Sequence, residues 1–346
     1  MKRYLLSVSV ALAVALAASG GALAAGPTPS LIPSFVPQPG AWLEALRQFP
    51  LNPKPSHKPK APQPPAAQQQ TPTPDVRVTT LSIYEHKAHH WILAAQGCAA
   101  GKRQENGVVV LDFGKPAFER HEYGTILFSG RFAGNHRITR AMLAYAHGYV
   151  SCLPQESTAS IELARGTSNY HPAVPSAYSA GTRWARETNA LGRELDQRGW
   201  SEHVEAAAAD DAEPAWDPEF TKTGQFFHGF RAAVHGHTLY DYGSLDGGVG
   251  AVWSARQAWY VAGGLRHTKA LPEIYSPAMA QEWAELARIA RGRYHKPVHF
   301  AGVMTQGTSG CDCGLRQSAA HRVLSKALQS EGLDGSVPAG GTNIAG

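Results

Sequence analysis

The sequence predicts an α/β fold of the (β/α)8-barrel type, one that need not be regular, and three observations carry that prediction. Between residues 76 and 333, apolar runs of strand length alternate with segments of helical periodicity, the pattern of parallel strands joined by helical crossovers. That stretch is long enough for one domain with a large core, and it suits a closed ring better than a short open sheet. The strand-like runs also end repeatedly in polar or aromatic residues, as expected where ligands meet the carboxyl ends of barrel strands. An open doubly wound sheet is the second choice. No Gly-x-Gly-x-x-Gly follows a first strand, so a nucleotide site has little support.

In chain order, Thr80 to about Ala100 reads as a helix anchored by Ile83, Trp91, Ile92 and Leu93. Val108 to Gly114 is a continuous apolar run ending in Asp112 and a glycine, the signature of a strand buried on both faces. Residues 123–134 fit either a short strand or a packed loop. Asn135 is placed to cap a helix over 138–150, and Ser160 to Arg165 is the next strand, opening into Asn169 and Tyr170. A long amphipathic helix over 176–198 directs Tyr178, Trp184, Leu191 and Leu195 inward. An acid-bearing strand from Val204 follows, then a helix through Phe220, Phe226, Phe227 and Phe230. Thr238 to Gly243 is a further strand, leading to the glycine-rich turn 244–248 and a helix over 253–261. A short strand over 270–275, a helix over 279–291, a last strand over 298–306 and a last helix over 318–328 complete about six alternating units. Residues 334–346 read as a flexible tail.

The stretch Val204 to Asp217, VEAAAADDAEPAWD, is the expected working centre. Side chains alternate along a strand, so Ala207, Ala209, Asp211 and Glu213 share one face and Asp210 takes the other. Acids two positions apart lie roughly 6.5–7 Å apart along a strand, close enough for one charge to raise the other's pKa and keep it protonated near neutral pH. A general acid needs that state. The competing reading is a carboxylate pair that caps the next helix and binds a nearby arginine. Other strand ends contribute Asp112, Asn169, Tyr170, Asp241, Tyr242, Glu273, Tyr275 and Gln306, and Trp216 stands beside the acids as a platform for a sugar ring.

The chain resembles secreted bacterial glycoside-hydrolase-like barrels, a group that includes family 25 lysozyme-type and family 18 chitinase-type proteins. The residues that carry the resemblance are Asp211-Ala212-Glu213 at the end of a middle strand, matching an Asp-x-Glu motif, together with Asp112 ending the first recognised strand. The resemblance implies that Glu213 donates the proton and that Asp211 orients it or the substrate. Ala207 and Ala209 stand where the fuller acid-rich chitinase pattern has further acids. The expected function is hydrolysis of a cell-wall or other extracellular polysaccharide, with Asp112, Asp241 or Glu273 as second carboxylate and Trp216, Tyr242 and Tyr275 stacking on sugars. The alternative is a barrel that has lost catalysis and binds glycan or a wall partner through the same cleft. Ser/His/Asp chemistry has no Gly-x-Ser-x-Gly elbow to support it.

The flanks set the setting. Lys2 and Arg3, an apolar run from Tyr4 to about Ala18 and small residues through Ala25 read as an export signal over 1–25, too short to span a bilayer. Residues 26–75 hold 14 of the 24 prolines and read as a disordered spacer. Within it, residues 41–49 have helical spacing that suits either docking or a transient helix. The formal charge of +5 lies partly in these segments, and no dense basic stripe with interleaved aromatics points to nucleic acid. Four cysteines in an exported chain predict disulfides. Pairing each of Cys311 and Cys313 with a distant cysteine is the attractive arrangement, and Cys98 with Cys152 is the alternative. His86, His89 and His90 have ligand-like spacing but no carboxylate nearby and read as surface, so neither a metal nor a cofactor is expected. Oligomeric state is not legible in the sequence.

Overall fold

The computed structural model describes residues 80–306, 314–335, 337–338 and 340–345. The expected signal, spacer and 41–49 helix, together with Cys311 and Cys313, lie outside the described residues. Eight parallel strands follow one another around a ring: β1 (Thr80–Tyr84), β2 (Gly107–Asp112), β6 (Ile161–Ser168), β7 (Val204–Asp211), β8 (Leu239–Asp241), β9 (Thr268–Ala270), β10 (Val303–Gln306) and β11 (Gly341–Ala345). β11 pairs with both β10 and β1. The remaining gap is bridged by parallel contacts of Ala270 with Phe300 and of Glu273 with Met304, the Ile274 N–H donating to the Met304 carbonyl at 3.0 Å. The barrel prediction therefore holds.

Helices α1 (His90–Lys102), α2 (Asn135–Cys152), α3 (Ala177–Gln197), α4 (Thr221–Ala233), the short α5 (Ala255–Trp259), α6 (Pro277–Tyr294) and α7 (Gln317–Ser330) connect the strands. Among the described residues no helix is long and apolar enough to cross a membrane. Residues 123–134 resolve into part of a small antiparallel sheet of β3 (Lys115–Glu119), β4 (Glu122–Ile126) and β5 (Phe132–Gly134), inserted between β2 and α2.

Two expectations about the ends of the barrel are corrected. Residues 80–84 are a strand, not the start of a helix, and α1 begins only at His90. Residues 341–345, expected within a flexible tail, form the eighth strand. Both strands carry buried hydroxyls where apolar residues would have marked them. Ser82 Oγ and Thr342 Oγ1 share a hydrogen bond of 2.6 Å, Ser82 Oγ accepts from the Val110 N–H at 2.8 Å, and the Thr80 hydroxyl donates to the Val108 carbonyl.

The interior is filled by Val108, Val110, Ala207, Ala209, Tyr240 and Tyr242 among others, small residues on β7 facing large ones on β8. A second layer between strands and helices includes Leu111, Met142, Tyr145, Trp184, Leu191 and Phe227. Tyr178, expected inward, is exposed. Asn135 is the first helical residue rather than the cap, and its Oδ1 instead accepts from Arg165 Nη2 at 2.7 Å.

α1 and α2 touch closely because glycines face each other. A Cβ on Gly97 would stand 2.0 Å from the Tyr145 carbonyl oxygen, and one on Gly148 2.0 Å from that of Ala94. Cys98 and Cys152 bond across this contact, so the arrangement in which each pairs with Cys311 or Cys313 is overturned.

If β11 completes the ring, truncation after Gly335 leaves two unpaired edges and an interior open to water. Thermal unfolding of that variant should show a melting transition lost or lowered by more than 10 °C, roughly the effect of ~3–5 kcal/mol in a domain of this size. A transition at the full-length temperature would remove β11 from the cooperative unit.

Candidate active site

Alternation along β7 sets the site. Ala206 and Ala208 face the helical layer and Ala207 and Ala209 the interior, so Asp211 projects into the mouth at the carboxyl ends while Asp210 turns outward. Just beyond the strand, Asn169 holds the Glu213 backbone from both sides. Its Nδ2 donates to the Glu213 carbonyl at 2.9 Å and its Oδ1 accepts from the Glu213 N–H at 3.0 Å, with a further contact to Thr223 Oγ1 at 3.0 Å. Glu273 arrives on the segment after β9, and the Tyr275 hydroxyl donates to its Oε1. Asp211, Glu213 and Glu273 bring carboxylate oxygens within 4.8 Å of one another. These three form a group of titratable side chains that could also ligate a hard divalent cation through oxygen.

No Lys or Arg lies within ion-pair distance of these acids among the described residues. The reading in which they are neutralised by arginine is thus excluded there. Glu213 also starts the short 3-10 turn Pro214–Trp216 without a side-chain capping bond. Burial pushes the Glu213 carboxyl up to about 7, with the Asp246 charge adding to the rise and the Ser244 hydroxyl opposing it. Burial and then the Glu213 charge push Glu273 up to about 8. Burial followed by Glu273 and Glu213 holds Asp211 well above the usual range. Asp112, fully buried at the end of β2, is raised to about 7, although its Oδ1 accepts from the Gly114 N–H at 2.8 Å. Asp112 Oδ2 and Asp211 Oδ1 are buried with no hydrogen-bond partner among the described residues.

A cleft of about 510 Å³ opens over Asp112 and Asp211, walled by Tyr84, Phe128, Tyr170 and Trp216 and reached by Gln306. Tyr170 meets Trp216 edge to face at 5.3 Å, and Tyr84 meets Phe128 at 4.9 Å. A larger hollow of about 820 Å³ lies at the amino ends of the strands. Its carboxylate Glu162 already accepts from Tyr240, and among the described residues no group of acids gathers there.

Four of the sequence-predicted residues play other parts. Asn169 is buried and positions Glu213 rather than facing a ligand. Tyr242 is wholly buried in the barrel interior, its hydroxyl donating to the Thr167 carbonyl at 3.2 Å, so it offers no face to a sugar. Asp241 lies between the inward Tyr240 and Tyr242 and shares the helix-facing side with Leu239, beside Asp210 in register. Tyr275 holds Glu273. Tyr84, Phe128, Lys115, Ser244 and Asp246 were not singled out. Tyr84 was hidden by the helical reading of its segment, and Asp246 sat in a glycine-rich turn with no assigned role, where it accepts from the Ala215 N–H at 2.7 Å.

No family model matches the chain, and no curated protein matches it in sequence. Among solved structures it is similar to a GH18 chitinase from Pseudoalteromonas aurantia, at 14% identity over 78% of this chain and 94% of that one, with a TM-score of 0.37. It is also similar to a beta-mannanase from Streptomyces thermolilacinus, at 13% identity over 77% and 78% of the two chains and a TM-score of 0.39. An endo-1,4-beta-mannanase from Rhizomucor miehei shares 8% identity over 77% and 85%, with a TM-score of 0.37. The chemistry of the site is carried by this chain's own carboxylates, not by these likenesses.

Raised carboxyls bind protons more tightly in the folded chain than in the unfolded one. Their contribution to stability is full below the ordinary carboxylate range near pH ~4 and is lost as pH rises through their folded values. Asp112, Glu213, Asp241 and Glu273, at about 7 to 8, place that loss between weakly acidic and weakly basic pH. The melting temperature should therefore fall from pH 5 to pH 8 by several degrees. Asp210→Asn with Asp241→Asn, both away from the cleft, should flatten the fall. An equally steep profile in the double variant would show that these buried acids are not its source.

Proposed function

We propose that this chain is an exported glycoside-hydrolase-like protein acting on a cell-wall or other extracellular polysaccharide. The observation that carries the reading is a Glu213 carboxyl that keeps its proton to about pH 7, with oxygens of Asp211 and Glu273 within 4.8 Å, beside an aromatic-walled cleft. A sugar ring has apolar faces that aromatic side chains cover and hydroxyls that Asp112, Gln306 and Ser168 can bind, all within the same cleft. The disulfide suits an oxidising compartment, as export would provide.

In this mechanism Glu213 gives its proton to the glycosidic oxygen as that bond breaks, and a second carboxylate faces the sugar's anomeric carbon. Glu273 is the better second carboxylate. Asp241 faces the helices, whereas Glu273 belongs to the trio and receives a hydrogen bond from Tyr275 that favours its charge. Groups this close titrate as a set, so one can be ionised while another holds a proton. Since one oxygen from each acid lies within 4.8 Å of the others, the arrangement proposed is the retaining one rather than the inverting one. Glu273 then attacks to form a glycosyl ester, and water, deprotonated by Glu213, releases the sugar and restores both groups.

The test is a panel of polysaccharides with release of reducing ends as the readout. Glu213→Gln should lower the rate by about a hundredfold or more on any glycan the parent cleaves, and Trp216→Ala should raise KM. The rate should follow a bell in pH whose two limbs, at about 7 and about 8, belong to the trio as a set. Full activity in Glu213→Gln removes this residue from the mechanism. A parent that retains glycan without cleaving it, through Trp216 but not Glu213, assigns the cleft to binding alone.

A further inference from the structure

Outside the barrel wall, a hollow of about 820 Å³ lies between the start of α1, the outward side of α2 and the turn after α3. Arg137, Arg140, Ala144 and His147 line it from α2 at spacings of three, four and three, so they form one row about 15 Å long. His89 and His90 stand at the α1 end, and Arg198 with Trp200 at the other. No Asp or Glu is among the residues lining this hollow. Arg137 Nε donates only to the Ala88 carbonyl, at 3.2 Å, and neither Arg137 nor Arg140 has an ion-pair partner among the described residues. Arg198 pairs with Glu194 at 2.8 Å and lies 5.3 Å from the Trp200 ring. Positive groups set in a concave wall reinforce one another's field, and their guanidinium forks match carboxylate or phosphate oxygens.

One short segment runs from the acidic cleft to the groove. Tyr84 lines the cleft, Ala88, His89 and His90 line the groove, and the His86 ring between them lies 6.0 Å from Phe128, which lines the cleft. With Asp112 and Asp211 beside its one lysine, Lys115, the cleft offers an anionic sugar far less positive charge than three arginines do. The neighbouring groove would attract one.

We propose that this groove binds an anionic stretch of polysaccharide, bearing carboxylate or phosphate groups, whose neutral portion enters the cleft. The proposal rests on the glycan reading of the cleft, and its test is therefore one of binding rather than cleavage. The full chain is titrated with polygalacturonate as the carboxylate probe, inorganic polyphosphate as the phosphate probe and a neutral mannan, at low and moderate salt.

At least one polyanion should bind, with affinity falling about tenfold or more between ~50 and ~200 mM salt. Which one binds tells carboxylate from phosphate. Arg137→Ala with Arg140→Ala should weaken polyanion binding at least tenfold and leave any retention of mannan unchanged, whereas Trp216→Ala should do the reverse. Arg137→Lys with Arg140→Lys should recover most of the affinity, which a folding defect would not allow. The proposal is overturned if neither polyanion binds, or if the double alanine variant binds as the parent does. Loss of hydrolysis with polyanion binding intact would count against the catalytic reading alone.

Discussion

The structure depends on keeping a set of carboxyl groups out of water with no cation to pair them. Isolated charges in such a place are costly, so the groups keep their protons, and every one of Asp112, Asp211, Glu213 and Glu273 is shifted upward. A parallel barrel is well suited to this because all its strands end at one rim, and residues far apart in sequence converge there. Asp211 and Glu273 lie on segments separated by β8 and two helical connections, yet their oxygens come within reach of one another. The cost of each raised group must be offset elsewhere. The apolar layers on both sides of the strands, and the hydroxyls that stitch β1 to β2 and β11, are where the offset lies.

The barrel interior also explains which acids meet. β6 and β7 present small inward residues, Ala164, Gly166, Ala207 and Ala209, and leave room for Tyr240 and Tyr242 from β8. Gly166 is needed as it stands, since a Cβ there would lie 2.7 Å from a Val110 methyl and 2.9 Å from the Asp112 Cα. The tyrosine rings fill the barrel beneath the acids. Tyr242 is thereby a floor support for Asp112 and not a sugar platform, and the polar surface of the mouth begins one layer above it. Asn169 performs a similar service for Glu213 by gripping its backbone at both the N–H and the carbonyl, which fixes where the side chain starts.

How much of this was legible in the sequence depended on whether a residue's partner was local. The two-residue period of β7 correctly separated Asp211 from Asp210, because alternation is a property of one strand. β2 was legible because both its faces are apolar. β1 and β11 were not, because their inward residues Thr80, Ser82 and Thr342 satisfy one another through hydroxyls and erase the apolar signal. The sequence leaves Asp241 among three candidates for the second carboxylate because the inward parity of β8 is set by Tyr240 and Tyr242, and both parities fit an isolated stretch of six residues. The disulfide likewise followed from the contact between α1 and α2, which the glycines permit but whose long-range pairing leaves no mark in spacing.

That same helix contact bears on the cationic groove. α2, which carries the row of arginines, is fastened on two sides. The Cys98–Cys152 bond and the glycine-lined contact hold it to α1, and Arg165 on β6 donates to Thr139 Oγ1 at 2.8 Å and to Asn135 Oδ1 at 2.7 Å on α2 while stacking 4.0 Å from Trp184 on α3. β6 ends at Ser168, which lines the acidic cleft. The positive row and the acidic rim are thus tied to one strand and have fixed positions relative to each other. A polymer spanning both meets charges already in place, and little of its binding energy is lost to ordering the protein.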